Sequence, residues 1–427
     1  MPNHAALLQE SNMEPIQETE TIPESKALIG LPTLMTLAFT GGDLTAVGDR
    51  LLQRIKVDIN DATALLDLAV IFIMRGEKKL ARSMQTLAIQ NRQLYEYPRP
   101  DGEIKIRALA ILGPGDLMAN SPFEFLIENQ PVSLDLLYIA PGVGIPELVP
   151  EHDVLIVAVG ESDVNQPLLE YLDLALANWP RPVVNRPAAI SRLGRDSSCA
   201  LLGDIPTLLM PRAQRVARTA LEQCCNNDQP ALTLPAILQG VDYPVIIRPI
   251  DSHAGLGLAK IDNLNDLTSY LTTALDQNFF VSPFIDYSSA DGLFRKYRLI
   301  LINGVPYVCH MAISQRWMVH YLNADMLDNA AHRAEEAQFM AGFNDGFAAR
   351  HASALQSVYT QLGLDYVGID CAETADGKLL IFEVDSNMIV HNMDPADKFP
   401  YKKIQMPKLF QAFTQLLTER SGKSSCP

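Results

Sequence analysis

The first 27 residues carry no hydrophobic period. Polar positions and Glu10, Glu14, Glu18, Glu20 and Glu24 follow one another without an apolar face, which predicts a disordered acidic tail over 1–27. A helical rhythm then begins. Leu34, Leu37 and Ala38 precede a Gly41-Gly42-Asp43 break, and Val47, Leu51, Leu52 and Ile55 recur at helical spacing. Asn60-Asp61 offers a cap to the run Ala62 to Met74. After Gly76, the stretch Lys79 to Tyr95 sets Leu80, Met84, Leu87 and Ala88 on one face, so the spacing predicts a helical module over 28–100.

Near residue 97 the pattern changes. Pro98, Pro100 and Gly102 mark a linker, and Ile104 to Leu112 reads as a buried strand. Ser121-Pro122-Phe123-Glu124 has the form of a capping box with proline at the first helical position. Val132 to Ile139, Asp153 to Val159 and Pro182 to Asn185 read as further strands, with a helix over Leu168 to Ala177. Strands alternating with helices predict a parallel α/β domain over 101–187. From about Ser191 the strands become antiparallel: Tyr243 to Ile250, Leu299 to Ile302, Val305 to Met311, Tyr366 to Cys371 and Leu379 to Val384. Asn303-Gly304 and Asp376-Gly377 serve as two-residue hairpin turns. The fold class expected is a multidomain mixture of α/β and α+β.

Composition narrows the functions. At 427 residues the chain exceeds one ordinary domain, and 48% hydrophobic residues allow large cores. A net charge of -16 argues against non-specific binding to nucleic acid or an anionic membrane. None of the six cysteines forms a C-x-x-C pair, and no run approaches the roughly 18 apolar residues of a membrane span. The expected setting is cytoplasmic, with reduced thiols.

Candidate chemistry lies in the hairpin Leu364 to Asn387. Counting outward from a two-residue Asp376-Gly377 turn pairs Ala375 with Lys378, Cys371 with Phe382, and Asp370 with Glu383. Opposed carboxylates in a strand as apolar as LLIFEV call for a cation. Alternation puts Asp385 and Asn387 on the face of Glu383, giving hard oxygen donors suited to magnesium. A second feature is Val245 to Pro249, a strand carrying Arg248 into Asp251-Ser252-His253-Ala254-Gly255-Leu256-Gly257. Small residues there let backbone N–H groups approach phosphate oxygens, with Arg248 adding charge-assisted bonds. No G-x-x-x-x-G-K-[ST] is present, which excludes a P-loop.

Taken in order, these segments resemble the ATP-grasp superfamily over roughly 104–415. Asn185-Arg186-Pro187, Gly203 to Thr207, VIIRPIDSHAGLGL, Val281 to Ile285, Lys296 to Leu299, Tyr366 to Asp370 and Phe382 to Asp385 carry the likeness. The resemblance implies an ATP-grasp domain over 188–427, with a lid from about 198 to 285 and a metal-binding core from about 286 to 415. It implies ATP and Mg2+ as cofactors. Arg195, Arg248, Ser252, His253, Ala254, Gly255 and Gly257 would face the phosphates, and Pro283, Phe284 and Ile285 the adenine. Asp370, Glu383, Asp385 and Asn387 would hold the metal, and Arg298 the reacting carboxylate. Several positions depart from the family pattern: Arg248 and Arg195 stand where lysines are usual, Lys296 where an aspartate is usual, and Asp385 where an asparagine is usual.

Such enzymes join a carboxylate to an amine through an acylphosphate, so a small-molecule or peptide carboxylate and an amine are the implied substrates. An ATP-grasp kinase and a non-catalytic nucleotide-binding scaffold are the alternatives. Arg316, Trp317, His320 and Asn323, with His391 beyond the metal strand, are candidates for the substrate pocket. The run DLAVIFIMRGEKKLARSMQTLAI resembles a tetratricopeptide hairpin. A module of that kind over 28–96 would either recruit a protein partner or stabilise a homodimer.

Overall fold

The computed structural model describes residues 26–225, 233–250, 252 and 255–423, so the predicted tail lies almost entirely outside the described residues. The helical module forms as four helices: α1 (Leu31–Phe39), α2 (Leu44–Val57), α3 (Ala62–Met74) and α4 (Lys78–Asn91). Asp43 caps α2 by accepting from the N–H groups of Thr45 and Ala46, and Asp61 caps α3 through Ala64. The last helix ends at Asn91 rather than near Tyr95. Leu94–Glu96 is instead a strand, β1, with the Tyr95 ring fully buried and its hydroxyl donating to the Ala88 carbonyl at 3.0 Å.

That strand decides how the module is attached. β1 pairs antiparallel with β3 (Val132–Tyr138), at the edge of a sheet ordered β1-β3-β2-β4-β5, where β2 is Ile106–Leu112, β4 Val154–Val157 and β5 Val183–Val184. β2 to β5 are parallel, as predicted. Leu65, Leu66 and Ala88 of the helices join Leu109, Ile111 and Val157 of the sheet in one core. The capping box does not start a long helix. Phe123–Phe125 is a single 3-10 turn, because the Ser121 hydroxyl is spent on the Ser386 carbonyl, 2.6 Å away and 265 residues on.

Two further sheets follow. β6 (Leu208–Leu209) pairs parallel with β14 (Leu379–Asp385) in the larger one, ordered β12-β11-β13-β14-β6, with β11 Phe294–Ile302, β12 Val305–Ser314 and β13 Tyr366–Glu373. The lid sheet, ordered β7-β10-β8-β9, therefore begins only at Gln214: β7 is Gln214–Ala217, β8 Val245–Pro249, β9 Ala259–Ile261 and β10 Asn278–Pro283. It owns a small separate core of Val216, Leu221, Val245, Ile247, Leu267 and Phe279. The large sheet shares its core with the α/β unit, across the helix Lys402–Ser421. There the Phe413 ring stacks on Phe123 at 5.2 Å and meets Tyr366 edge-on.

Candidate active site

The β13–β14 hairpin sets the carboxylates. Asn303-Gly304 makes the expected two-residue turn, both residues having positive φ (50° and 81°). Asp376-Gly377 does not. Only Gly377 has a positive φ, 80°, and the Thr374 N–H donates to the Lys378 carbonyl at 3.0 Å, leaving a three-residue loop. Thr374 and Asp376 favour this longer loop, because the Thr374 hydroxyl bonds the Asp376 carboxylate and also accepts from the Lys378 N–H at 3.0 Å. The ladder near the turn is therefore one residue off the predicted count: Glu373 faces Leu379 and Cys371 faces Ile381. A bulge at Phe382 absorbs the difference, and Asp370 stands opposite Glu383 after all.

Each carboxylate meets a different environment. Arg298 on β11 is the ladder partner of Asp370. Its guanidinium grips the carboxylate through Nε at 2.8 Å and a terminal nitrogen at 3.0 Å, and the Lys296 ammonium adds a contact at 2.6 Å. Burial acts to raise the Asp370 pKa, but these two cations outweigh it and hold the group far below the usual carboxylate range. Glu383 pairs with Arg195 at 2.6 Å; there too burial is outweighed, by Arg195 and then Arg248, and the pKa falls. Asp385 has no ion-pair partner among the described residues. Burial and the adjacent Glu383 push it up to about 8.

Arg248 faces the same cleft from the lid. Its Nε donates to the Ser252 hydroxyl at 3.2 Å, and among the described residues no carboxylate lies within ion-pair distance. Burial, with Arg195 nearby, lowers its pKa to about 10. Arg195, Arg248, Ser252, Glu383 and Asp385 line one cleft between the lid sheet and the large sheet. Gly255 and Gly257 carry positive φ of 75° and 68°, and a Cβ on Gly257 would come within 2.8 Å of Pro249. Both positions thus require glycine. His253 and Ala254 lie outside the described residues.

Other expected site residues are placed elsewhere. Pro283, Phe284 and Ile285 do not line this cleft. The Phe284 N–H is committed to the Pro244 carbonyl at 3.0 Å, and its ring lies between the Lys260 ammonium (4.5 Å) and Trp317 (5.8 Å, edge-on). Trp317 therefore packs on Phe284, just after β10. Asn323 caps its own turn, accepting from the His320 N–H at 2.9 Å, while Arg316 is exposed. Burial, then Lys296 and Arg298, lower the His320 pKa. His391 lies between Phe39 of α1 and Phe125, each ring 6.3 Å away, and burial pushes it down to about 4. Strand alternation does not orient Asn387. β14 ends at Asp385, alternation ends with it, and the fully buried Asn387 amide donates to the Met118 carbonyl of the α/β unit. Its Oδ1 has no partner among the described residues.

Two features had no sequence signal. Glu161, Ser162 and Asp163, from the loop after β4, line the cleft. Asp163 also binds Arg215 of β7 through two bonds of 2.7 and 2.9 Å, and Arg215 reaches Asp196 at 2.8 Å. Among the described residues no three His, Cys, Asp or Glu side chains gather closely enough to hold a metal ion by themselves, and no helix is long and apolar enough to cross a membrane.

No protein-family model and no curated protein matches the chain. Solved structures do. The VanG D-Ala:D-Ser ligase from Enterococcus faecalis matches at 13% identity and TM-score 0.44, covering 74% of this chain and 100% of that one. A RimK domain ATP-grasp protein from Sphaerobacter thermophilus matches at 16% identity and TM-score 0.39, covering 72% and 99%. D-alanine–D-alanine ligase from Bacillus anthracis, in complex with ATP, matches at 12% identity and TM-score 0.43, covering 74% and 99%.

Proposed function

We propose that the chain is an ATP-dependent, magnesium-dependent ligase that joins a carboxylate to an amine through an acylphosphate. The observation that carries this reading is Arg248: a half-buried guanidinium with no carboxylate within ion-pair distance among the described residues, facing the same cleft as Arg195. Arg195 is paired with Glu383, but Arg248 is not ion-paired among the described residues, and a polyphosphate is an anion that would complete it. The Gly255 and Gly257 conformations supply the close backbone approach that phosphate oxygens need.

In this reading a substrate carboxylate oxygen attacks the γ-phosphorus and ADP departs. The amine nitrogen then attacks the acyl carbon and phosphate departs, with one proton lost from the amine. Arg248 and Arg195 hold the triphosphate, and the Arg248–Ser252 contacts fix the lid loop over it. Magnesium, held by the hard oxygens of Glu383 and Asp385, would offset phosphate charge. Arg298 remains the candidate for the carboxylate end, with His320 and His391 as neutral imidazoles near it. The helical module belongs to the body of the enzyme, since it shares the α/β core.

An ADP-release screen over amino acids and dipeptides tests the proposal, with Glu383→Gln as control. ADP and phosphate are expected only when a carboxylate and an amine are both present, and not from the control. A phosphorylated product formed without an amine would make the chain a kinase. ATP retained without any turnover would leave the reading of a non-catalytic nucleotide-binding scaffold.

A further inference from the structure

We infer that Lys296 and Arg298 take the place of a metal ion at Asp370, so that the site accepts a single divalent cation, on Glu383 and Asp385. The inference rests on the nucleotide reading of the cleft and narrows its metal chemistry.

Asp370 has little left to offer a metal. A carboxylate presents roughly four lone-pair sites. Here one oxygen accepts from Arg298 Nε at 2.8 Å, and the other accepts from a second Arg298 nitrogen at 3.0 Å and from Lys296 Nζ at 2.6 Å. The group is 2% exposed and does not line the cleft that holds Arg248. This is no loose surface pairing. Arg298 is the direct ladder partner of Asp370, and Lys296, two residues earlier on β11, points to the same face. Both cations are largely covered, at 19% and 21% side-chain exposure.

A dication at Asp370 would have to displace an ammonium and half of a guanidinium fork. It would leave two covered cations without their counterion, a cost that binding would have to overcome. Glu383 and Asp385 present the opposite case. Among the described residues only Oε1 of Glu383 is engaged, by Arg195, and Asp385 has no ion-pair partner. Both line the cleft, where one or two carboxylates together with phosphate oxygens suffice for a magnesium-sized ion.

The test counts metal directly. The full-length chain is saturated with the non-hydrolysable analogue AMP-PNP and titrated with Mn2+, bound metal being measured by equilibrium dialysis and its coupling by electron paramagnetic resonance. One Mn2+ per chain is expected, with a six-line spectrum free of metal–metal broadening. Asp385→Asn is expected to weaken Mn2+ at least tenfold. Lys296→Asp, which puts a carboxylate where the ammonium stood, is expected to bind a second Mn2+ and to show the broadening of ions about 4 Å apart. Two Mn2+ in the wild type overturns the inference, as does Asp385→Asn binding Mn2+ like the wild type. A wild type that retains neither AMP-PNP nor Mn2+ overturns the nucleotide reading beneath it, a result distinguishable from either.

Discussion

Asp370 and Glu383 face each other across the β13–β14 ladder because a bulge at Phe382 compensates for a hairpin loop one residue longer than its Asp-Gly sequence suggests. The pairing is thus held by two departures from regular geometry. Each carboxylate is matched to its own arginine, Arg298 for Asp370 and Arg195 for Glu383.

Arg248→Gln should weaken ATP binding by on the order of 10- to 100-fold, the range expected when charge-assisted bonds to phosphate are lost. Arg248→Lys should recover part of it. Titration with a fluorescent ATP analogue reads both, and an unchanged affinity in Arg248→Gln would remove this residue from the phosphate site.

The Arg215–Asp163 pair ties the lid to the α/β unit and is partly exposed, at 38% and 49% of the two side chains. Asp163→Asn should speed both nucleotide entry and release by about threefold, consistent with the modest strength of exposed ion pairs. High salt should erase the difference. Stopped-flow measurements in which the variant matches the wild type at low salt would show that the pair does not restrain the lid.

Stability should fall as pH rises through neutrality, on account of Glu124. Burial lifts this carboxyl from its ordinary 4.5 to about 7. The folded state therefore holds a proton that the unfolded state releases near pH 4.5, and the stability associated with it is full below that pH and lost as pH climbs past about 7. Glu124→Gln should flatten this dependence, with a higher melting temperature than the wild type at pH 8 and a similar one at pH 4. Parallel wild-type and variant curves across that window would refute it.

Asn185 joins the α/β unit to the large sheet. It is fully buried at φ 58°, its amide donating to the Tyr366 carbonyl at 2.8 Å and accepting from the Tyr366 N–H at 3.0 Å. Asn185→Ala strands both backbone groups and strains the left-handed conformation, so urea unfolding should show a loss of roughly 2–4 kcal/mol. Asn185→Gly, free of the strain, should lose about 1 kcal/mol less.

Deleting residues 26–91 should leave no folded remainder, since it uncovers the sheet core shared with Leu65, Leu66 and Ala88. Recovery of a monomeric, cooperatively melting remainder would restore the module to the status of an appendage.

Much of this was legible in the sequence, for identifiable reasons. The parallel strands announce themselves as unbroken apolar runs, and Asn303-Gly304 fixes its hairpin because both residues tolerate positive φ. Asp376-Gly377 misled because Thr374 supplies a competing hydroxyl bond, a side-chain effect that turn statistics do not weigh. The Asp370–Glu383 pairing was nonetheless expected, through two errors that cancel: the longer loop and the bulge. For Asn387 the alternation argument does not apply, because β14 stops two residues earlier. Lys296 was visible as a departure from the family pattern, but its ion pair with Asp370 depends on the register between β11 and β13. Arg215 and Asp163 are 52 residues apart, and no local spacing could have joined them.

The separate core of the lid sheet has a mechanical consequence. The α/β unit and the large sheet are bonded into a single frame by the Phe123–Phe413 stack, the Ser121–Ser386 bond and the Asn185 bridge, and the helical module joins it through a shared core. The lid sheet carries an apolar interior of its own, so it can swing without opening the core shared by the α/β unit and the large sheet. The molecule is built as a door on a fixed frame, with Arg215 as its bolt and Arg248 on its inner face.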